Sequence, residues 1–174
     1  MARRDPEAFT AFVLASQPRL RRTAYLMCGD WQLASDHVQE ALIRVYRHWP
    51  RLEERGEAHA YARKTLVNVV IDAKRRRSST EVPVDSVFDR PDGQDATTRA
   101  ADRDLLERCL AQVPARQRAC LVLRHFDDLS VSEVAVILGC SEGTVKSQTA
   151  RGLETLQAAF ARETDDELLV SGRE

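Results

Sequence analysis

The segment Leu129-Ser130-Val131-Ser132-Glu133-Val134-Ala135-Val136-Ile137-Leu138-Gly139-Cys140-Ser141-Glu142-Gly143-Thr144-Val145-Lys146-Ser147 leaves the backbone few choices. Ser130 and Glu133 stand at the spacing of a capping box, in which hydroxyl and carboxylate satisfy each other's terminal amides and start a helix. Gly139 ends that helix after two turns by entering the left-handed conformation, and Ser141 caps the next one. Ala135 is small enough for another helix to cross closely, and Val145 points back into the crossing. A short helix, a turn with Gly and a second helix form a helix-turn-helix, whose second helix enters the DNA major groove. On that helix Glu142, Thr144, Lys146, Ser147, Gln148 and Arg151 face outward. Gln can read adenine and Lys or Arg can hold guanine or phosphate, with about 1 to 3 kcal/mol of discrimination per bidentate pair. A helical hairpin with a merely solvated face would use the same turn chemistry, so the rest of the chain has to decide between the two. Pro114 opens a further amphipathic helix immediately upstream, which favours the DNA-binding arrangement.

Elsewhere apolar residues recur at three and four with no sustained alternation of period two, so the chain is expected to be all-α. Helices are expected over 7–16, 18–28, 31–49 and 57–77 in the first half, and over 102–113, 115–126, 131–138 and 142–162 in the second. Between 78 and 100 the residues Ser78-Ser79-Thr80, Pro83, Pro91, Asp92-Gly93 and Thr97-Thr98 displace the periodicity and mark a flexible linker. Two small helical domains follow, 5–77 and 101–162, with 163–174 as a frayed acidic tail. Each half is near the lower size limit for an autonomous core and is expected to be marginally stable alone.

The formal net charge of −1 conceals an asymmetry. Residues 1–77 carry 15 Lys and Arg against 9 Asp and Glu, whereas 78–100 carry 2 against 5 and 101–174 carry 9 against 13. A basic first half points to a polyanion partner. The helix at 31–49 buries Ala34, Val38, Ala41, Leu42, Val45 and Trp49 and presents Asp36, Gln39, Glu40, Ile43 and Arg47 on its other side. An Ile among charges marks a surface that another protein covers, although a plain solvated face fits equally well. The helix at 57–77 turns Ala58, Tyr61, Ala62, Thr65, Leu66 and Val69 inward and leaves Arg63, Lys64, Asn68, Lys74 and Arg75 for a ligand. It ends on Lys74-Arg75-Arg76-Arg77, more cations than complementing a helix dipole requires. If they meet phosphates, affinity falls with salt with a slope of roughly −3 to −4 from this cluster.

Four cysteines, Cys28, Cys109, Cys120 and Cys140, lie far apart without a CxxC pair or a zinc-like spacing, so they are read as core thiols and no metal or cofactor is expected. No apolar run approaches the roughly 20 residues of a membrane span, which predicts a cytoplasmic protein without membrane insertion. His37, His48, His59 and His125 fall in no catalytic spacing and no Gly-rich phosphate loop is present, so the chain is expected not to be an enzyme.

The stretch from Leu110 to Leu156, with V-P-A-R-Q-R, L-R-H-F-D-D-L-S, E-V-A-V-I-L-G-C-S and G-T-V-K-S, resembles region four of bacterial sigma factors. The helix around Asp36 to Trp49 resembles the region-two helix that docks on the polymerase β′ clamp, and L-V-N-V-V-I-D with its basic run resembles the helix that reads the minus-10 element. The two blocks cover about 150 residues in family order and resemble the small extracytoplasmic-function (group 4) sigma factors of the sigma-70 superfamily. The resemblance implies core polymerase contact through Asp36, Gln39, Glu40, Ile43 and Arg47, by way of the β′ clamp and β subunits. It implies minus-10 contact through Arg63, Lys64, Asn68, Lys74 and Arg75, and minus-35 contact through the helix bearing Lys146 and Arg151. Many members of that family are restrained by an anti-sigma protein. A stand-alone helix-turn-helix regulator is the alternative, and it leaves the docking-like and basic helices of the first half unexplained.

Overall fold

The computed structural model describes residues 5–80 and 98–171, and all regular structure in them is helical. The linker expected at 78–100 lies outside the described residues from 81 to 97, with helices entering it from both sides. In the first half α1 (Pro6–Cys28), α2 (Trp31–Arg47), α3 (Trp49–Arg55) and α4 (Ala58–Thr80) follow one another closely. The second half holds α5 (Thr98–Ala111), α6 (Ala115–Leu121) running into a π-helical turn (Val122–Phe126), α7 (Val131–Leu138) and α8 (Glu142–Ser171).

Local chemistry sets most of these bounds. The Asp5 carboxylate accepts from the amides of Glu7 and Ala8 and starts α1, and the Asp30 carboxylate accepts from the Leu33 amide at 2.8 Å to start α2. Two helices expected on either side of Gln17 are one, with Pro18 inside α1. Pro18 has no N–H for the Leu14 carbonyl, but both residues are exposed, so the missing bond lies toward solvent rather than in the core. Conversely, the helix expected to reach Trp49 stops at Arg47, and the interval between the helices expected over 31–49 and 57–77 is largely helical. Pro50 at the start of α3 supplies the preset φ that begins a new helix there. At the other end α8 continues to Ser171 instead of fraying after Arg162, and Glu163 is tied to Arg108 of α5 at 2.9 Å and to Gln112, just past its end, at 3.0 Å.

In the first half α1, α2 and α4 pack against one another, with Leu20, Ala24, Val38, Ala41, Leu42, Val45 and Leu66 buried among them. Phe9, Phe12 and Trp49 form an aromatic cluster, the Phe9–Trp49 pair edge-to-face and the Phe12–Trp49 pair tilted, each with ring centroids 5.1 Å apart. The second half buries Leu110, Ala119, Leu123, Val134 and Val145. The two halves do not stand apart: α1 and α4 of the first pack against α6, the π-helical turn and α7 of the second, and the buried apolar residues form one continuous cluster. Arg118, only 1% exposed, sits at this junction.

Candidate nucleic-acid interface

Ser130 begins α7 as a complete capping box, its hydroxyl accepting from the Glu133 amide at 3.2 Å while its own amide donates to Glu133 Oε2 at 2.7 Å. Those hydrogen bonds hold the Glu133 carboxyl below the usual carboxylate range. Gly139 ends α7 at φ 61, where the left-handed backbone, not crowding, excludes side chains, since a Cβ there would meet nothing within 4 Å. Ser141 Oγ accepts from the Thr144 amide at 3.1 Å and begins α8. Ala135 and Val145 are buried at the crossing of the two helices. Glu142, Lys146, Ser147 and Arg151 are exposed along one side of α8, with Thr144 and Gln148 half-buried beside them. Four of the six residues expected to face outward are therefore exposed, whereas Thr144 and Gln148 are partly covered by the packing of α8.

Gly152 on the inner side of α8 was not singled out by the sequence. A Cβ there would approach Leu121 at 3.1 Å, so α6 and α8 meet at a distance that only glycine allows without adjustment. A glycine inside an otherwise regular helix costs about 1 kcal/mol against alanine, and that cost was the available signal of a packing requirement.

On α4 the inward set is placed as expected: Ala58, Ala62, Thr65, Leu66 and Val69 are buried and Tyr61 half-buried. Lys64, Asn68 and Arg75 are exposed. Arg63 and Lys74 differ, because the second half of the molecule lies against them. Arg63 Nε is 3.9 Å from the Asp127 carboxylate. Lys74 is desolvated and lies in the field of Arg118, which together push its pKa down. On α2 the residues Asp36, Gln39, Ile43 and Arg47 are exposed, Ile43 to 55%, while Glu40 is half-buried and ion-paired with Arg44.

Polar contacts join the halves. Thr23 Oγ1 donates to Asp127 at 2.9 Å and 3.1 Å, Arg19 Nη2 donates to the Asp127 carbonyl at 2.7 Å, and Tyr25 donates to Glu107 at 2.9 Å. Arg118 donates to the carbonyls of Met27 (3.3 Å), Val113 (3.1 Å and 3.2 Å) and Ala111 (2.6 Å). Burial pushes its guanidinium pKa down to about 10, so it remains a cation at neutral pH. Sequence reasoning missed Thr23, Arg118 and Asp127, each of which reads as a surface residue until its distant partner is known.

All four cysteines are free, Cys109 and Cys120 buried, and burial pushes the Cys120 thiol up to about 11. Among the described residues no His, Cys, Asp or Glu cluster converges as a metal site, and no helix is long and apolar enough to cross a membrane.

Comparison with known proteins points the same way as the geometry. Residues 12–80 match the family model described as "Sigma-70 region 2", and residues 103–156 match "Sigma-70, region 4". The chain is 37% identical over 158 residues to the RNA polymerase sigma-E factor of Streptomyces coelicolor, covering 90% of this chain and 89% of that one. It is 24% identical to the ECF RNA polymerase sigma factor SigW of Bacillus subtilis, covering 88% and 89%. In fold it is similar to the sigma factor RpoE of Bartonella quintana, crystallised with the anti-sigma factor NepR, at a TM-score of 0.70 and 22% identity over 89% of this chain and 98% of that one.

Proposed function

Because the chain belongs to the sigma-70 family of RNA polymerase sigma factors, as a member of its extracytoplasmic-function type, we propose the following division of labour among its residues. It is an alternative sigma factor: it binds core RNA polymerase and directs promoter-specific initiation. In residues 5–77, α2 offers Asp36, Gln39, Glu40, Ile43 and Arg47 to the β′ clamp, and α4 offers Arg63, Lys64, Asn68, Lys74 and Arg75 to the minus-10 element. In residues 101–162, α8 offers Glu142, Thr144, Lys146, Ser147, Gln148 and Arg151 to the minus-35 element, while 78–100 tether the two units. The protein acts in the cytoplasm without catalysis of its own, and an anti-sigma protein is a fitting restraint.

The observation that carries this reading is the exposed cation pair Lys146 and Arg151 on a properly capped recognition helix, in the same chain as α2 with its Ile43 bared to 55%. A stand-alone regulator needs the first feature and has no use for the second. Asp36→Ala with Glu40→Ala tests the assignment of α2. The double variant should lose at least tenfold in affinity for core polymerase, about 1.4 kcal/mol, while its duplex DNA binding and helix content stay as in the parent. Lysate-independent titration of purified core with the labelled chain measures it; an unchanged affinity would remove α2 from the polymerase interface.

A further inference from the structure

A cleft of about 350 Å³ opens between α1 and the π-helical turn, lined by Pro18, Arg19, Arg22, Leu26, Phe126 and Asp127 and backed by Thr23. Small-molecule sites have volumes of roughly 300 to 1,000 Å³. The turn itself supplies one wall. The Asp127 amide donates to the Val122 carbonyl at 3.0 Å and closes a turn one residue wider than an α-helical one, a device found frequently at functional sites. At α-helical spacing Phe126 would fall on the same side as Val122 and Leu123, which are fully buried. The wider turn moves its ring off that side and leaves it 36% exposed against the cleft, where Pro18 and Leu26 of α1 complete an apolar wall.

Charge selects what can sit there. Asp127 is the one acid among the lining residues, and its carboxylate is already engaged. It accepts from the Thr23 hydroxyl at 2.9 Å and lies 3.5 Å from Arg19 Nε and 3.9 Å from Arg63 Nε. Arg19 is held by the same residue, since its Nη2 donates to the Asp127 carbonyl at 2.7 Å. Arg22 differs from both: it is exposed at the cleft, and among the described residues no hydrogen bond or ion pair engages it. A guanidinium fork matches a carboxylate with two parallel hydrogen bonds. With three arginines set against a single acid, an anion is drawn in and a cation repelled. Inorganic phosphate would satisfy Arg22 but leave the apolar wall uncovered, whereas a neutral hydrocarbon would cover the wall and leave Arg22 unpaired.

We propose that this cleft binds a small aromatic carboxylate, its ring against Phe126, Pro18 and Leu26 and its carboxylate on the Arg22 guanidinium. None of these residues belongs to the helix faces assigned to polymerase or to DNA. A ligand seated there touches both α1 and the π-helical turn, so occupancy stabilises the fold by mass action.

Titration of the full-length chain with 2-naphthoate provides the test, with 2-naphthalenemethanol as the uncharged counterpart and inorganic phosphate as the charge alone. Amide NMR shifts locate and quantify binding, and thermal unfolding gives an independent readout. A Kd of about 1 mM is expected for a ligand of this size, with shifts concentrated at residues 19–26 and 126–127. At about 10 mM naphthoate the melting temperature should rise by roughly 3 to 6 °C. Arg22→Met removes the charge at an exposed position and should weaken naphthoate at least tenfold while leaving the fold intact. Phe126→Ala should weaken it about fivefold, and the alcohol and phosphate should each bind the parent at least tenfold more weakly than naphthoate does. No saturable shift at those residues up to about 10 mM, or parental affinity in Arg22→Met, would overturn the site. Equal binding of the alcohol or of phosphate would overturn its assignment to an aromatic acid. If Phe126→Ala loses its helical circular dichroism, Arg22→Met alone decides.

Discussion

Arg118→Met is expected to lower the unfolding free energy by about 3 kcal/mol, the largest stability effect of any single substitution considered. The side chain is 1% exposed and donates to main-chain carbonyls of Met27, Ala111 and Val113. Methionine fills most of the space but donates nothing, and loss of the donor at the buried Met27 and Val113 carbonyls costs about 1 to 3 kcal/mol each. Relief of the desolvated guanidinium offsets part of that loss, which is why the expectation sits well below the summed maximum. For a chain of this size the change corresponds to a fall in melting temperature of roughly 6 to 12 °C. Urea unfolding followed by far-ultraviolet circular dichroism measures it. A variant within about 0.5 kcal/mol of the parent, the ordinary range of surface substitutions, would mean that Arg118 does not organise the junction. Met27 belongs to α1 and Arg118 to α6, so the substitution should also loosen the two halves from one another.

The second large effect is on DNA. Lys146→Ala with Arg151→Ala removes two exposed cations from the outer side of α8. At about 1 to 3 kcal/mol for each good base contact, the pair should cost about 3 kcal/mol, roughly a hundredfold in minus-35-dependent initiation. Neither side chain is buried, so the fold and the affinity for core polymerase should be unaffected. Initiation from a promoter with an intact minus-35 element, compared with one in which that element is scrambled, isolates the effect. A loss of less than threefold on the intact promoter would place the reading surface elsewhere.

The features legible in the sequence were those set by neighbours in the chain. The capping box of Ser130 and Glu133, the left-handed Gly139 and the buried Val145 all depend on residues within about a dozen positions, and α7 occupies the expected bounds of 131–138. The apolar stripe of α2 was readable for the same reason, since periodicity alone decides which side of a helix is buried. Pro18 misled because proline is a helix breaker only where the lost bond matters, and at an exposed position it matters little. Pro50, just past the expected helix end at Trp49, begins the next helix.

The junction was not legible at all. Thr23 and Asp127 are separated by 104 residues, and Arg118 and Met27 by 91, so no local pattern marks them. Arg118 in the string V-P-A-R-Q-R has the composition of a solvated helix face, and only the crossing of α6 with the first half turns it inward. The same blindness applied to Arg63 and Lys74: sequence identified them as ligand-facing cations, and the fold brings part of the chain's own second half against that face. The two helical units themselves were predicted, whereas their closure on one another was not.

Transcription of a genomic fragment library by purified core RNA polymerase, with and without the chain, tests the central claim most directly. The account predicts discrete new start sites that depend on the chain and share two upstream motifs, one near minus 10 and one near minus 35. Stable association with polymerase yielding no new starts, or tight duplex binding that ignores polymerase altogether, would contradict it.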